Sequence, residues 1–384
     1  MNIPGADYLI GQYVRWRSLR AGVPTLDEWQ PAHTQRILLV LTTGLGDAVF
    51  SSAVIDPLRA QFPNASFGLF IREKWQALFA GDPRLHSVIP YAGKYRRYFS
   101  TLRALKAFKA DLTLVLHAND PDILPMLYLA HAQFIVRIPV QGTRYPFLLA
   151  NRHRAGDQAT LPGVHYVENR LRILESLQVS SLALTTGLNT QPAQVQTAQP
   201  HLQPRLVVHN KAPTTPYIVL HANAADSYKS WPRAECATFI QQASTQGWAI
   251  VLTGTQADAE KCTALAQASR SQLVTNLAGQ LSLAEMIGVI QGAQVVIAPD
   301  TGILHLAAAL GTPTIGLYAP TQASLVGPRG QAAIKIVQVA QTCTPCTEKQ
   351  CPYPEPLCMA QIDADSVTQQ LMPLLKSPHE MKQA

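Results

Sequence analysis

Charge is scarce in this chain. Asp, Glu, Lys and Arg together supply 14% of the 384 residues, low for a soluble protein, whereas 47% are hydrophobic and mark a globular chain. That length exceeds a single core and implies two or three domains, with 28 prolines marking many loop boundaries. Long apolar runs are also missing: the longest candidate, Ile123 to Val136, is interrupted by Pro125, His131 and Gln133, which excludes a transmembrane helix. The first thirty residues lack a basic segment followed by an apolar one, so no secretory signal is read and a cytoplasmic location is expected. Cysteines number six. Cys236 and Cys262 sit alone in helical patterns and read as core. Cys343, Cys346, Cys351 and Cys358 are close in sequence, but their spacing misses the paired C-x2-C pattern of zinc sites. Disulfides are not expected in a reducing compartment, which leaves a structural metal or four free thiols.

What charge there is lies unevenly. Residues 1–185 hold 20 Lys/Arg against 13 Asp/Glu, and residues 186–384 hold 11 of each, so the whole net charge of +7 is N-terminal. It gathers at Arg15, Arg17 and Arg20, at Lys94-Tyr95-Arg96-Arg97, and at Arg103, Lys106 and Lys109. Any one cluster reads as a solvated face; three in one half favour an anionic partner.

The pattern is most informative between Gln294 and Pro320, QVVIAPDTGILHLAAALGTPTIGLYAP. A short apolar run at Val295 to Ala298 predicts a strand buried on both faces. Pro299-Asp300-Thr301-Gly302 opens a helix from Ile303 to Leu310 that stops at Gly311, and Thr314 to Tyr318 is the next strand. In such a βαβ unit the first turn lies at the carboxyl ends of the strands, where open α/β sheets bind ligands. The free N–H groups at that helix start suit a phosphate, and His305, one turn from Thr301, can lean toward the same mouth. A capped core helix with a satisfied histidine reads equally from these residues.

Residues 1–35 form an extension before the first strand. Within it Tyr8, Val14, Trp16 and Leu19 can line one side of an amphipathic helix, with packing on the domain favoured over a membrane contact. Residues 36–185 read as one α/β domain, with strands at Arg36 to Leu41, Ser66 to Ile71, Ser87 to Pro90, Asp111 to His117 and Gln133 to Ile138. A helix is expected from Ala48 to Phe62. The turn before it, Thr42-Thr43-Gly44-Leu45-Gly46-Asp47, carries a Gly-x-Gly pair but no third glycine of a dinucleotide fingerprint, and no ribose acid follows about twenty residues on. Asp47 further puts a negative charge where a pyrophosphate would dock. A carboxylate there can take a proton from a hydroxyl, or cap the helix.

Residues 186–216, rich in Gln and Pro, read as a linker, and residues 217–384 as a second α/β domain. In HANAADSYKSWPR, Lys229 falls in a βα loop just ahead of the helix opened by Pro232, well placed for a diphosphate. Asp258 and Glu260 open the following helix, where a carboxylate can reach ribose hydroxyls or favour the helix start. Two doubly wound Rossmann-like domains facing across a cleft are the simplest architecture.

These stretches together resemble glycosyltransferase family 9, the ADP-heptose:lipopolysaccharide heptosyltransferases. The resemblance runs roughly from Arg36 to Leu375 and rests on RILLVLTTGLGDAVFSSAVIDPLRAQFP, on Lys229-Ser230-Trp231-Pro232, and on APDTGILHLAAALGTPTIGLYAPT followed by Gly327-Pro328-Arg329-Gly330. It implies a GT-B fold and an inverting transfer that needs no metal or other cofactor. It also implies Asp47 as the base, with Gly44 and Gly46 in the acceptor-side turn. Lys229 is implied on the donor diphosphate, Asp300 at the donor sugar, and Thr301 and Gly302 as phosphate-binding amides. His305 stands at a family histidine position. Asp258 aligns with a glutamate that holds the ribose in some members, and Asn223 and Ser227 stand where members often carry threonines. The implied partners are a nucleotide-sugar donor, ADP-heptose, and an anionic lipopolysaccharide-type acceptor at a membrane surface, not nucleic acid. The alternatives are transfer of another activated sugar to a different glycan or protein, and a non-catalytic glycan-binding protein on the same fold.

Overall fold

In the computed structural model the described residues are 5–138, 143–153, 161–177, 216–341, 343, 351, 353 and 356–375. The chain divides into two compact units, residues 1–198 and 199–384. The expected linker lies outside the described residues except for Pro216, and so does Cys346.

The first unit is built on a five-stranded parallel sheet of order β3-β2-β1-β4-β5: β1 Arg36–Leu41, β2 Ser66–Arg72, β3 Ser87–Tyr91, β4 Leu112–His117 and β5 Phe134–Arg137. Its helices are α1 Ala6–Ala21, α2 Leu45–Ser52, α3 Ile55–Gln61, α4 Tyr98–Phe108, α5 Ile123–Leu129 and α6 Tyr166–Leu171. Strand β1 reads as an unbroken apolar run because both faces of the sheet are covered, and Ile37 to Leu41 are buried along its whole length. Leu38 and Val40 join Phe70, Val115 and Ile135 in a core closed by α1, α4 and α5. Gly68 in β2 lets the Phe108 ring of α4 lie against the sheet, since a Cβ there would meet that ring at 2.7 Å.

Two expectations fail in this unit. The single helix expected over residues 48–62 is two, because Pro57 has no N–H to continue the ladder; the chain tightens through Ala53 and Val54 and restarts at Ile55. The first of these starts at Leu45, so Gly46 and Asp47 lie in its first turn and not in the loop. The extension is helical, yet only Val14 of the four grouped residues faces inward. Tyr8, Trp16 and Leu19 are exposed, because 3.6 residues per turn puts Val14 on the opposite side from them.

The second unit has a six-stranded parallel sheet of order β11-β10-β9-β6-β7-β8: β6 Tyr217–Leu220, β7 Ala249–Leu252, β8 Val274–Asn276, β9 Val295–Pro299, β10 Thr314–Tyr318 and β11 Ile334–Gln338. Its helices are α7 Arg233–Thr245, α8 Ala259–Ser269, α9 Leu283–Gln291, α10 Gly302–Ala309, α11 Ala323–Val326 and α12 Ala364–Leu371. Pro232 is the residue before α7 and not its first. Strand β8 carries no buried residue and β11 none either, so neither has the apolar run that announces a strand. Helix α10 is buried on nearly all sides, and at Gly330 the Gly-Pro-Arg-Gly segment crosses it so closely that a Cβ would sit 2.0 Å from the Ala308 carbonyl. Cys236, Cys262 and Cys358 are buried in this unit's core, Cys358 beside Met359 and Ile362. Among the described residues no group of three or more His, Cys, Asp or Glu is placed to hold a metal ion.

In both sheets the strand order, read outward from the first strand of the unit, reverses there: β1 lies between β2 and β4, and β6 between β7 and β9. Such a reversal opens a crevice at the carboxyl ends of the strands. Asp47 and Asp300 both stand at that edge of their own unit.

Candidate active site

In the first unit the turn after β1 is held from both sides. Arg72 Nε donates to the Thr42 carbonyl at 2.7 Å, and Trp75 Nε1 to the Thr43 carbonyl at 2.9 Å. Between β1 and β4 the register slips after Val40, so Leu41 pairs with His117 and not with Leu116, and Thr42 N donates to the His117 carbonyl at 2.9 Å. That irregularity brings His117 to the start of α2. Its Nδ1 lies 2.6 Å from Thr43 Oγ1, which donates to Asp47 Oδ2 at 3.2 Å, and the same Nδ1 is 3.5 Å from Asp47 Oδ2. From α6, Arg170 Nη2 approaches Asp47 Oδ1 at 3.4 Å.

Burial pushes the His117 imidazole down to about 4, with Arg170 adding to the effect and Asp47 opposing it. At neutral pH the ring is uncharged and cannot neutralise Asp47. Arg170 is the cation that does so, although its buried Nε has no hydrogen-bond partner among the described residues. Gly44 is exposed beside the carboxylate, where a Cβ would stand 3.4 Å from Asp47 Oδ2, an ordinary contact. Asp47 itself keeps 28% of its side chain open to solvent. A carboxylate so placed has one flank held by a buried cation and the other by a hydroxyl, with an open edge left for a substrate hydroxyl. Farther along this edge a pocket of about 140 Å³ is lined by Asn119, Asp120, Arg137, Arg144 and Tyr145.

In the second unit Lys229 ends a 3-10 turn, Ser227–Lys229, after β6. Its Nζ lies 2.9 Å from Asp300 Oδ2 and 3.8 Å from Asp226. The other Asp300 oxygen is 3.4 Å from His305 Nε2, one turn into α10. Burial alone would raise the Asp300 carboxyl; His305 and Lys229 outweigh it and hold it at about 2. Burial likewise opposes the charge on Lys229, and Asp300 more than restores it. At the start of α10 the Leu304 and His305 N–H groups donate to the Thr301 carbonyl at 3.1 and 3.4 Å, which leaves those of Gly302 and Ile303 to be met from outside the helix. Thr301, the residue before that helix, does not cap it, and its buried Oγ1 has no hydrogen-bond partner among the described residues.

The sequence-predicted residues do not all converge. Lys229, Asp300, Thr301, Gly302 and His305 form one cluster. Asp258 Oδ2 accepts from Thr255 N at 2.9 Å and from Thr255 Oγ1 at 2.6 Å, which is the helix-start role that its position allowed. Ser227 is exposed and lines a pocket of about 270 Å³ with Asn223, Ser230, Trp231 and Lys261.

A family model for glycosyltransferase family 9 (heptosyltransferase) matches residues 130–356, more than half of the chain. The chain belongs to glycosyltransferase family 9. Among relatives of this family 9 protein, lipopolysaccharide heptosyltransferase 1 of Pseudomonas aeruginosa is 26% identical over 381 residues, spanning 90% of this chain and all of that one. The fold matches E. coli ADP-heptose lps heptosyltransferase II with a TM-score of 0.68 at 19% identity, over 88% of this chain and 98% of that one. It matches E. coli heptosyltransferase WaaC with ADP at 0.66 and 20% identity, over 89% and 100%. The architecture is therefore of the GT-B type, and the protein is a glycosyltransferase.

In this family 9 enzyme the sequence reading missed Thr43, His117 and Arg170. His117 carried a usable signal, since it ends a buried strand at the carboxyl edge of the sheet. Arg170 carried none, because nothing local marks a helical arginine 123 residues away as the partner of Asp47.

Proposed function

We propose that this enzyme transfers heptose from ADP-heptose to an inner-core lipopolysaccharide acceptor on the cytoplasmic side of the inner membrane. Asp47 takes the proton of the acceptor hydroxyl as that oxygen attacks the anomeric carbon. The bond from that carbon to the diphosphate breaks, and ADP leaves with the electron pair. One displacement of this kind inverts the anomeric centre. Lys229 and the first-turn amides of α10 meet the charge that develops on the leaving diphosphate, and Asp300 is left to orient sugar hydroxyls. The observation that carries the reading is Thr301 at the start of α10: its buried hydroxyl finds no hydrogen-bond partner among the described residues, one residue from the Asp300 that holds Lys229. A buried polar atom left so is costly unless a ligand completes it.

The test is thermal melting of the purified enzyme against ADP, UDP, GDP and NAD, followed by transfer assays with ADP-heptose. A ligand at a hundredfold excess over its Kd stabilises the folded state by about 2.7 kcal/mol. The expected result is a shift with ADP alone, reduced in Lys229→Ala and kept in Asp47→Asn. A shift with UDP or GDP instead would keep the transferase and discard heptose.

A further inference from the structure

Helix α1 has two unlike sides. Asp7, Ile10, Gly11, Val14 and Arg17 face the unit. The Tyr145 ring packs where a side chain on Gly11 would stand, its hydroxyl donates to the Asp7 carbonyl at 3.0 Å, and Arg17 lies over the Tyr128 ring. The outer side carries Tyr8, Leu9, Tyr13, Trp16 and Leu19, exposed by 67, 68, 49, 51 and 81%. Spacings of three and four residues put these on adjacent rows of one face. Exposed Arg15 and Arg20 border that face, Arg20 with its guanidinium 4.4 Å from the centre of the Trp16 ring. Five large apolar side chains on sixteen residues are more than scattered surface residues supply.

We propose that this outer face of α1 rests on an anionic lipid bilayer, a reading that builds on the lipid-anchored acceptor proposed above. Three observations favour a bilayer over another occupant. Tyr and Trp edged by Arg is the chemistry of a headgroup boundary, where amphipathic rings and cationic tips are both satisfied. The chain's whole positive excess lies in the same half, which complements anionic lipid. A further exposed aromatic, Phe99 at 83%, lies in the first turn of α4 just after Arg97, and the preceding Lys94 and Tyr95 are bonded to Asp7 of α1. The same Asp7 is 3.2 Å from Arg144, which lines the acceptor-side pocket together with Tyr145. The helix is thus fastened at its first turn to the residues that would meet an acceptor. No helix among the described residues is long and apolar enough to cross a membrane, so the contact is one of lying on the surface.

The experiment is flotation of the full chain with phosphatidylcholine vesicles, with and without one quarter phosphatidylglycerol. Binding is expected at low salt to the anionic vesicles, at least tenfold weaker to the neutral ones, and lost at high salt. Arg15→Gln with Arg20→Gln should weaken it about 25-fold, two arginines at about fivefold each. Trp16→Ser with Leu19→Ser should weaken it tenfold or more, with an unchanged melting temperature because these side chains support no core. Equal binding to both vesicle types, no flotation, or flotation that survives both double variants would overturn the proposal. So would a wild-type dimer in sedimentation that Trp16→Ser with Leu19→Ser returns to monomer, since the face would then be covered by a second copy. The assay uses neither donor nor acceptor, and the ADP melting shift read on the same samples reports separately on the transfer reading.

Discussion

Asp47 and Asp300 hold matching places in their two units, each at the start of a helix that follows a central strand, and they are surrounded in opposite ways. Asp300 is 11% exposed and touches two bases, Lys229 at 2.9 Å and His305 at 3.4 Å, so its charge is fixed and its proton affinity is low. Asp47 is 28% exposed, its ionic contact with Arg170 is longer at 3.4 Å, and the histidine beside it is neutral. A carboxylate that must hold a ligand gains from the first arrangement. One that must accept a proton gains from the second, because each strong contact to the charged form lowers its basicity. The fold supplies the position, and the neighbours decide the task.

The contrast breaks most sharply at Asp47. Asp47→Asn keeps the shape and the Thr43 contact but removes the proton acceptor, and kcat should fall by about 10²- to 10⁴-fold with ADP affinity unchanged. If the variant keeps near wild-type turnover, Asp47 is only a helix-start residue. Lys229→Met should act on binding and on stability together. It leaves Asp300 buried without its nearest cation, and because both side chains keep some exposure the loss should be about 2 kcal/mol, below the 3–5 typical of fully buried pairs. Chemical denaturation without ligand measures this. Lys229→Met combined with Asp300→Asn should recover part of it, whereas ADP affinity should stay low.

How legible these two sites were differs for a physical reason. The Asp300 cluster is largely local: Asp300, Thr301, Gly302 and His305 lie within six residues, so helical spacing alone brings them together, and only Lys229 comes from afar. The strands β1, β6, β9 and β10 were equally readable, since burial on both faces writes a continuous apolar run. The surroundings of Asp47 come from β4 and α6, and a one-residue slip in the β1–β4 register decides that His117 reaches it. No pattern in the sequence announces such a slip. The inward side of α1 differs from this: 3.6 residues per turn already separates Val14 from Tyr8, Trp16 and Leu19, and contacts with α5 and Tyr145 then decide that the Val14 side is the covered one.

The pH dependence sharpens the comparison next. His117 in the first unit and His221 in the second, the latter held 3.0 Å from Thr253 Oγ1, are both brought down to about 4 by burial. In the unfolded chain each titrates near 6.5, so between those values the unfolded state binds more protons. Stability is then complete above about pH 6.5 and lost as pH falls toward 4, by on the order of 2 to 3 kcal/mol per histidine. The Asp300 contribution fades only below its unfolded value near 3.8, on the way to 2. Urea midpoints across pH 7 to 4 should therefore fall in the wild type and fall less in His117→Asn.

The smallest effect is expected at Thr301. Thr301→Val keeps the volume and the extended backbone before α10 but removes a hydroxyl with no partner among the described residues. Since that buried oxygen makes no bond to the described residues, the melting temperature measured without ADP should hold or rise slightly. If the hydroxyl completes the diphosphate site, ADP affinity should fall by one ordinary hydrogen bond, about 1 kcal/mol or roughly fivefold. Titration calorimetry with ADP on the two proteins separates these cases. A variant that is destabilised but binds ADP normally would make Thr301 a packing residue, and the donor phosphate would then rest on Lys229 and the α10 amides alone.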